Sequence, residues 1–289
     1  MKTRTGNISL GFRRGGGAWQ RDLGQLIAWA KANDISVIDM NRDGDQTAKQ
    51  VVDAGLRVGS VDLADWQGMI SPDGAKRADA VAQNAAYVRA CAACGPVNYF
   101  LVMLPEKPDL PRAENFAFMI ESFGELVPVL EESNARLAIE GWPGPGALCC
   151  TPEGYRALFR ELPSKAVGIN YDPSHLIRQG IDPIRFLNEF ADRVYHIHGK
   201  DTELYAENVY EYGHEQPPTF AKNFPYGAIS WRYTIPGHGV MRWGKAFRIL
   251  ADHGYRGCAS IELEDANFNG SEQGEKLGII QGTHFLAGC

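Results

Sequence analysis

The sequence has no apolar stretch near the roughly 18 residues needed to span a bilayer. The segment from Met1 to Gly17 has no apolar core of the signal-peptide kind. A soluble, cytoplasmic protein without a membrane partner is therefore expected. Basic charge is not in excess: 29 Lys and Arg stand against 35 Asp and Glu, a formal net charge of −6. That balance opposes a general attraction to nucleic-acid backbones, so no nucleic-acid partner is expected. Cysteine is scarce, with six residues in 289, and their spacing gives no disulfide framework. Cys91 and Cys94 form a CxxC inside an Ala-rich helical stretch with no second Cys/His pair nearby, which reads as small apolar side chains rather than a zinc or redox site. The Gly15–Gly17 run lacks the spacing of a Walker or dinucleotide loop and reads as a flexible turn after a strand. No Ser/Gly/Pro linker divides the chain, so one domain over residues 1–289 is expected.

What is present is a recurring pattern. Apolar residues make up 44% of the chain, enough for a sizeable core. Eight short apolar runs recur at 8–12, 36–40, 56–61, 98–104, 136–140, 167–172, 193–198 and 258–262. Helical periodicity fills 19–33, 44–54, 76–95, 112–134, 152–162, 182–191, 241–254 and 271–287. Strands alternating with helices indicate parallel pairing and an α/β architecture. Eight such units in one chain fit a closed (β/α)₈ TIM barrel, which commonly takes about 250 residues. The stretch 202–233 is long for a connection and carries many aromatic residues, which suits a lid, a pocket wall or a subunit contact.

Side chains alternate faces along a strand. In a barrel the apolar face packs on helices, and the other face fills the interior and carries the active site at the C-terminal rim. Leu137 and Ile139 share one parity, which leaves Glu140 inward. Val167, Ile169 and Tyr171 leave Asn170 and Asp172 inward; Tyr195 and Ile197 leave His196 and His198; Ala259 and Ile261 leave Glu262. Three carboxylates and an imidazole at one mouth would repel strongly, and buried charge is costly unless paired or bound to metal. A divalent cation held by Glu140, Asp172, His198 and Glu262 resolves the conflict. Three oxygen donors and one nitrogen suit Mn²⁺ best, with Mg²⁺, Co²⁺ or Zn²⁺ as alternatives. His196 lies one layer deeper and is expected to support the site by hydrogen bonding. Glu264 lies beyond the strand end and is expected to meet the rim or a basic group. Trp142 shares the parity of Glu140 and is a candidate wall of the pocket, with Trp19, Trp66, Trp231 and Arg232 as weaker ones.

The segments Ile139-Glu140-Gly141, Tyr171-Asp172-Pro173-Ser174-His175-Leu176, His196-Ile197-His198-Gly199-Lys200-Asp201-Thr202 and Ser260-Ile261-Glu262-Leu263-Glu264-Asp265 resemble the xylose isomerase-like TIM-barrel superfamily. Within it they look most like the sugar phosphate isomerase/epimerase group. The run Ile235-Pro236-Gly237-His238-Gly239 is similar too, with His238 where many relatives carry an acidic residue. The resemblance covers the C-terminal half closely and the N-terminal half by architecture alone. It implies that the same four residues are metal ligands and that Glu140 and Glu262 are the catalytic bases. It also implies that His175 contacts a carbohydrate substrate near the metal and that Lys200 faces that substrate or the site's carboxylates, and it makes His238 a candidate for substrate choice. The implied activity is isomerisation or epimerisation of a ketose or keto-sugar through proton abstraction α to a carbonyl. A keto-sugar lyase or hydratase using the same metal is the alternative, and a non-catalytic sugar-binding barrel is a remote one. Endonuclease IV shares the superfamily but needs histidines from early strands, and here no histidine precedes His175. No Lys/Arg cluster with a Gly-rich turn marks a phosphate site. The resemblance also implies a homo-oligomer.

Overall fold

The computed structural model describes residues 1–214 and 216–289. Eight strands form the main sheet: β1 (Ser9–Arg13), β2 (Val37–Met40), β3 (Arg57–Asp62), β4 (Asn98–Val102), β5 (Arg136–Glu140), β6 (Val167–Tyr171), β7 (Val194–Gly199) and β10 (Cys258–Ile261). Their order is β1-β10-β7-β6-β5-β4-β3-β2 and closes on itself, giving the (β/α)₈ barrel the alternation predicts. All eight expected runs become strands. The eight expected helices also form: α1 (Leu23–Ala32), α2 (Gly44–Asp53), α3 (Gly74–Cys91), α4 (Arg112–Glu132), α5 (Pro152–Glu161), α7 (Pro183–Phe190), α9 (Trp243–Asp252) and α10 (Glu272–Gly288). Two short ones, α6 (Pro173–Ile177) and α8 (Ala206–Tyr212), are additional. No helix among the described residues is long and apolar enough to cross a membrane.

Local chemistry sets the helix ends. Asp22, Asp73, Thr151 and Ser271 cap α1, α3, α5 and α10 through side-chain oxygens that accept backbone N–H groups. Asp34, Asn134 and Gly254 close α1, α4 and α9 in the left-handed region, at φ of 54°, 49° and 72°.

Contacts divide the chain into two compact units. One comprises Met1–Val37, Asp172–Glu189 and His198–Cys289; the other comprises Ile38–Tyr171 and Phe190–Ile197. In the first, β1 pairs in parallel with β10, Gly11 opposite Ser260 and Phe12 opposite Ile261. The stretch 202–233 belongs to this unit and is no simple loop. Its ends pair as an antiparallel hairpin, β8 (Asp201–Leu204) with β9 (Trp231–Thr234), in which Thr202 faces Tyr233 and Glu203 faces Arg232. Arg232 and Glu203 are ion-paired at 2.7 Å, a cross-strand pair that holds the register. Asp201 anchors the base of the hairpin: its buried carboxylate accepts from the N–H groups of Thr202 (2.8 Å) and Met241 (2.9 Å) and from Trp243 Nε1 (3.1 Å). Gly239 must be glycine here, since a Cβ would lie 2.2 Å from Asp201 Oδ1.

In the second unit β3, β4, β5, β6 and β7 pair in parallel sequence. Strict alternation fails at one place. The register of β6 against β7 shifts between Ile169 and Asn170, so that Val194 opposes Ile169 while His196 opposes Asn170. Tyr195 is the extra residue of this bulge. Its ring lies where a Cβ of Gly168 would point, on the face of Gly168 and Asn170 rather than of Ile169. Its hydroxyl donates to Lys165 O at 2.7 Å, and the Arg136 guanidinium sits 4.6 Å over its ring. Sequence parity therefore assigns Tyr195 to the wrong face, while His196 and His198, beyond the bulge, are fully buried as expected.

Gly168 is the test of this packing. A Cβ there would stand 2.2 Å from Tyr195 Cε2 and 2.5 Å from Arg193 O. Gly168→Ala should cost about 1–3 kcal/mol by overpacking, read as a lower midpoint in urea denaturation with an unchanged slope. An unaltered midpoint would mean that Tyr195 is free to move aside.

Candidate metal centre

Asp172 follows β6 and caps α6. The short Asp-Pro-Ser sequence accounts for this: proline fits the first helical turn, and Asp172 Oδ1 accepts from Ser174 N at 2.9 Å and Ser174 Oγ at 2.6 Å. The cap fixes the carboxylate so that Oδ2 points elsewhere. Oδ2 is buried and accepts no hydrogen bond, although Lys200 Nζ lies 3.2 Å and His175 Nε2 3.3 Å away.

Lys200, after β7, is nearly wholly buried, with a side chain 2% exposed. Its ammonium lies 2.5 Å from Glu262 Oε2 and 2.9 Å from Glu264 Oε2. It therefore meets three carboxylates at once. Glu262 also approaches His198 Nδ1 (3.3 Å) and Arg13 Nε (3.3 Å). Burial alone would raise the Glu262 pKa, but Lys200, His198 and Arg13 outweigh it and hold the carboxyl well below its ordinary range. An ionised Glu262 is thus the resident state. A cavity of about 210 Å³ reaches Glu262 and Glu264 and is lined also by Arg13, Gln20 and Asn269. The Gly15–Gly17 run forms part of its wall, tied by Gly15 N donating to Gln20 Oε1 at 2.6 Å.

His175, on α6, is buried; its Nδ1 is paired with Tyr233 Oη at 2.7 Å and its Nε2 lies 3.5 Å from Lys200 Nζ. Tyr233 in turn lies under Lys200, whose Nζ is 4.6 Å from the ring centroid. Burial pushes the Tyr233 phenol far above its usual range, so it stays neutral and can donate a proton to a hydrogen bond.

In the other unit Glu140 ends β5, nearly wholly buried, and its Oε2 accepts from Asn170 Nδ2 at 2.7 Å. Asn170 and Glu140 are register partners across β5 and β6. His196 Nε2 is 2.7 Å from Asp39 Oδ2, both fully buried, so the deeper histidine is held by a β2 carboxylate.

The sequence expectations thus meet the structure unevenly. Asp172, His198, Glu262, His175 and Lys200 gather as one cluster, and Glu264 finds its basic partner in Lys200. Trp142 is half-buried, with its ring over Gly144. His238 is exposed on the turn after β9, its ring 6.1 Å from that of Phe268. Trp19 donates to Glu275 Oε2 at 2.6 Å, and Trp66 stacks under Arg42 at 4.3 Å. Cys91 of the CxxC is buried and its thiol is pushed up to about 11, chiefly by burial, which makes it a poor nucleophile or ligand. Three residues of the cluster's surroundings go unread in the sequence as site residues: Arg13, Ser174 and Tyr233. Arg13 carried a signal, as a charged residue at a strand's C-terminal end. Tyr233 carried none beyond its place in an aromatic stretch.

Comparison with known proteins bears on this arrangement. The family model described as xylose isomerase-like TIM barrel matches residues 22–287. An inosose dehydratase of Geobacillus thermodenitrificans is 27% identical over 159 residues, 55% of this chain and 50% of that protein. The chain spans about half or less of the length of the curated relatives it matches first. Among solved structures, the apo 3-keto-D-glucoside 4-epimerase of E. coli superposes with a TM-score of 0.69 at 13% identity, covering 98% of this chain and 100% of that one. An IolI protein with a bound zinc atom gives 0.66 at 16% identity, covering 96% of each chain. At these identities the structural matches speak to the fold.

Lys200 is the charge on which the cluster turns. Lys200→Met should destabilise the metal-free protein by about 3–5 kcal/mol, because Asp172, Glu262 and Glu264 lose their shared cation. Glu264→Gln, at a side chain 39% exposed, should cost under about 1 kcal/mol. Denaturation in chelator compares the two; equal losses would deny Lys200 this role.

Proposed function

Since the chain belongs to the xylose isomerase-like TIM-barrel family, we propose that it is a divalent-metal-dependent sugar isomerase or epimerase whose metal ligands are Glu140, Asp172, His198 and Glu262. The observation that carries this reading is the gathering of Asp172, His198 and Glu262 around Lys200 in the first unit. Glu140, the fourth proposed ligand, is buried at the end of β5 in the other unit. The buried Asp172 Oδ2, without a hydrogen bond, fits a site that awaits a cation. Three carboxylates and one imidazole suit Mn²⁺ foremost, with Mg²⁺, Co²⁺ and Zn²⁺ as alternatives.

When bound, such an ion polarises a substrate carbonyl and acidifies the neighbouring C–H. The chain's own residues do the rest. Glu262, kept ionised, is a base ready to take that proton, and Glu140, oriented by Asn170, is the second carboxylate. Removal by one and return by the other to opposite faces of a planar enediolate inverts the carbon. Lys200 and His175 are the groups that would meet substrate oxygens, with His175 held by Tyr233. Trp142 is a candidate wall for the sugar, and His238 a candidate rim contact. The substrate is a small carbohydrate, a ketose or keto-sugar, handled by the whole chain as one cytoplasmic barrel domain. Tyr210 and Phe220, 89% and 95% exposed, suit a homo-oligomer contact.

Dehydration is a second reading, favoured by the matched inosose dehydratases. The first half of the chemistry is the same. A hydroxyl β to the carbanion then leaves as water, taking a proton from the site, in place of reprotonation at carbon.

The test is solvent exchange. In D₂O with Mn²⁺, a panel of ketoses and 3-keto glycosides should include one that gains deuterium α to its carbonyl. Chelator should abolish the exchange, and Glu262→Gln or Glu140→Gln should cut it by at least about 10³-fold. The product separates epimerisation from loss of water. A metal-loaded protein that binds sugar but exchanges nothing would make it a sugar-binding barrel, and one that takes up no metal would end the reading.

A further inference from the structure

Thr202 and Tyr233 face each other across the hairpin β8–β9, and both grip α6. Thr202 Oγ1 donates to Ser174 O at 3.0 Å, and Tyr233 Oη is paired with His175 Nδ1 at 2.7 Å. Gln179 Nε2 holds the main chain at the same point by donating to His175 O at 2.7 Å. The Tyr233 ring is itself fixed. Trp231, two residues earlier on β9, packs on it with centroids 4.9 Å apart, and the Arg178 guanidinium and Lys200 Nζ lie 5.6 Å and 4.6 Å from its centroid. One rung of the hairpin thus holds both the backbone of α6 and one nitrogen of its imidazole.

The direction of the 2.7 Å bond follows from what each partner has to give. A neutral imidazole has one N–H and one acceptor nitrogen. Tyr233 is buried and its phenol stays neutral, so the O–H needs an acceptor. Among the described residues its Oη pairs with His175 Nδ1 alone. If Nδ1 carried the proton, the phenol would accept it and its own buried O–H would go unpaired, which is costly. Donation by Tyr233 to Nδ1 satisfies both groups and places the imidazole proton on Nε2. Nε2–H then faces Asp172 Oδ2, 3.3 Å away. Lys200 works against this. Its ammonium, 3.5 Å from Nε2, has donors only and favours a bare nitrogen there. Three carboxylates at 2.5, 2.9 and 3.2 Å already engage that ammonium, so the shorter Tyr233 bond decides.

We infer that Tyr233 is a positioning residue: by donating to Nδ1 it holds His175 in the Nε2–H tautomer, so that His175 offers the substrate a hydrogen-bond donor and takes no proton at Nε2. This rests on the sugar reading above for what His175 meets, and on the hairpin geometry alone for the tautomer. Abstraction of the carbon-bound proton then belongs to the carboxylates, and His175 stabilises an oxygen on which negative charge gathers.

The tautomer is read by ¹⁵N NMR of the metal-free full chain labelled at histidine, with His175→Gln identifying the signals among the seven histidines. Wild type should show a protonated Nε2 and a bare Nδ1 at His175. Tyr233→Phe keeps the packed ring and removes the hydroxyl alone; the proton should move to Nδ1, leaving Nε2 to accept from Lys200. Thr202→Val, which loosens the other grip on α6, should leave the wild-type tautomer. On the Mn²⁺-loaded chain, with the sugar that passes the deuterium-exchange test, Tyr233→Phe should lower exchange by about 10²-fold, through kcat rather than KM. A wild type with Nδ1–H, or with both nitrogens protonated, overturns the inference. So does a His175 spectrum unchanged by Tyr233→Phe, one shifted equally by Thr202→Val, or exchange in Tyr233→Phe equal to wild type. If Tyr233→Phe does not fold, coupling between the Tyr233 hydroxyl proton and Nδ1 in wild type decides: its presence supports the inference and its absence overturns it. If no sugar exchanges, the proton-abstraction reading fails separately, and the spectra alone decide for or against Tyr233.

Discussion

Buried negative charge is the constraint around which this molecule is arranged. Asp172 and Glu262 bring carboxylates to strand ends in the first unit, and Glu140 does so in the other. Each is given just enough polar support to be tolerated. A hydroxyl and an N–H hold one oxygen of Asp172, an amide holds Glu140, and Lys200 with Arg13 and His198 holds Glu262. Isolated in a low-dielectric interior, any of these carboxylates would take up a proton. Of the three, Glu262 is the one whose partners, Lys200 first, hold it well below the ordinary carboxylate range.

The architecture was legible because it is written in a short-range code. Alternation of short apolar runs with helical periodicity fixes the number and order of units, and the caps at Asp22, Asp73, Thr151 and Ser271 are local. The four proposed ligands followed from parity, a two-residue rule. What escaped depended on longer range or on exceptions. The hairpin β8–β9 joins segments some thirty residues apart, so neither strand announces its partner, and its four-residue strands resemble loop. The Tyr195 bulge breaks the two-residue period itself. Tyr233 gains its place beside His175 only because that hairpin closes, and Asn170 was seen as an inward residue without its partner Glu140. The glycine run at 15–17 was read as flexible because its restraints, Gln20 and Glu275, lie elsewhere in the chain.

Epimerisation and dehydration differ after the first proton has moved. In the proposed chemistry the features described here, an ionised Glu262, a buried ammonium and a neutral phenol on His175, would serve the shared first half. What separates the outcomes is whether a group β to the carbanion can leave, which is a property of the substrate pose.

The cap at Asp172 has a consequence for coordination. Its Oδ1 already accepts two hydrogen bonds from Ser174, so only Oδ2 remains to offer. As the ligand proposed above, Asp172 would thereby offer a single oxygen. A glutamate in its place could reach an ion with both oxygens but is too long to cap α6 in the same way. The choice of aspartate over glutamate at this strand end is thus made by a five-residue helix.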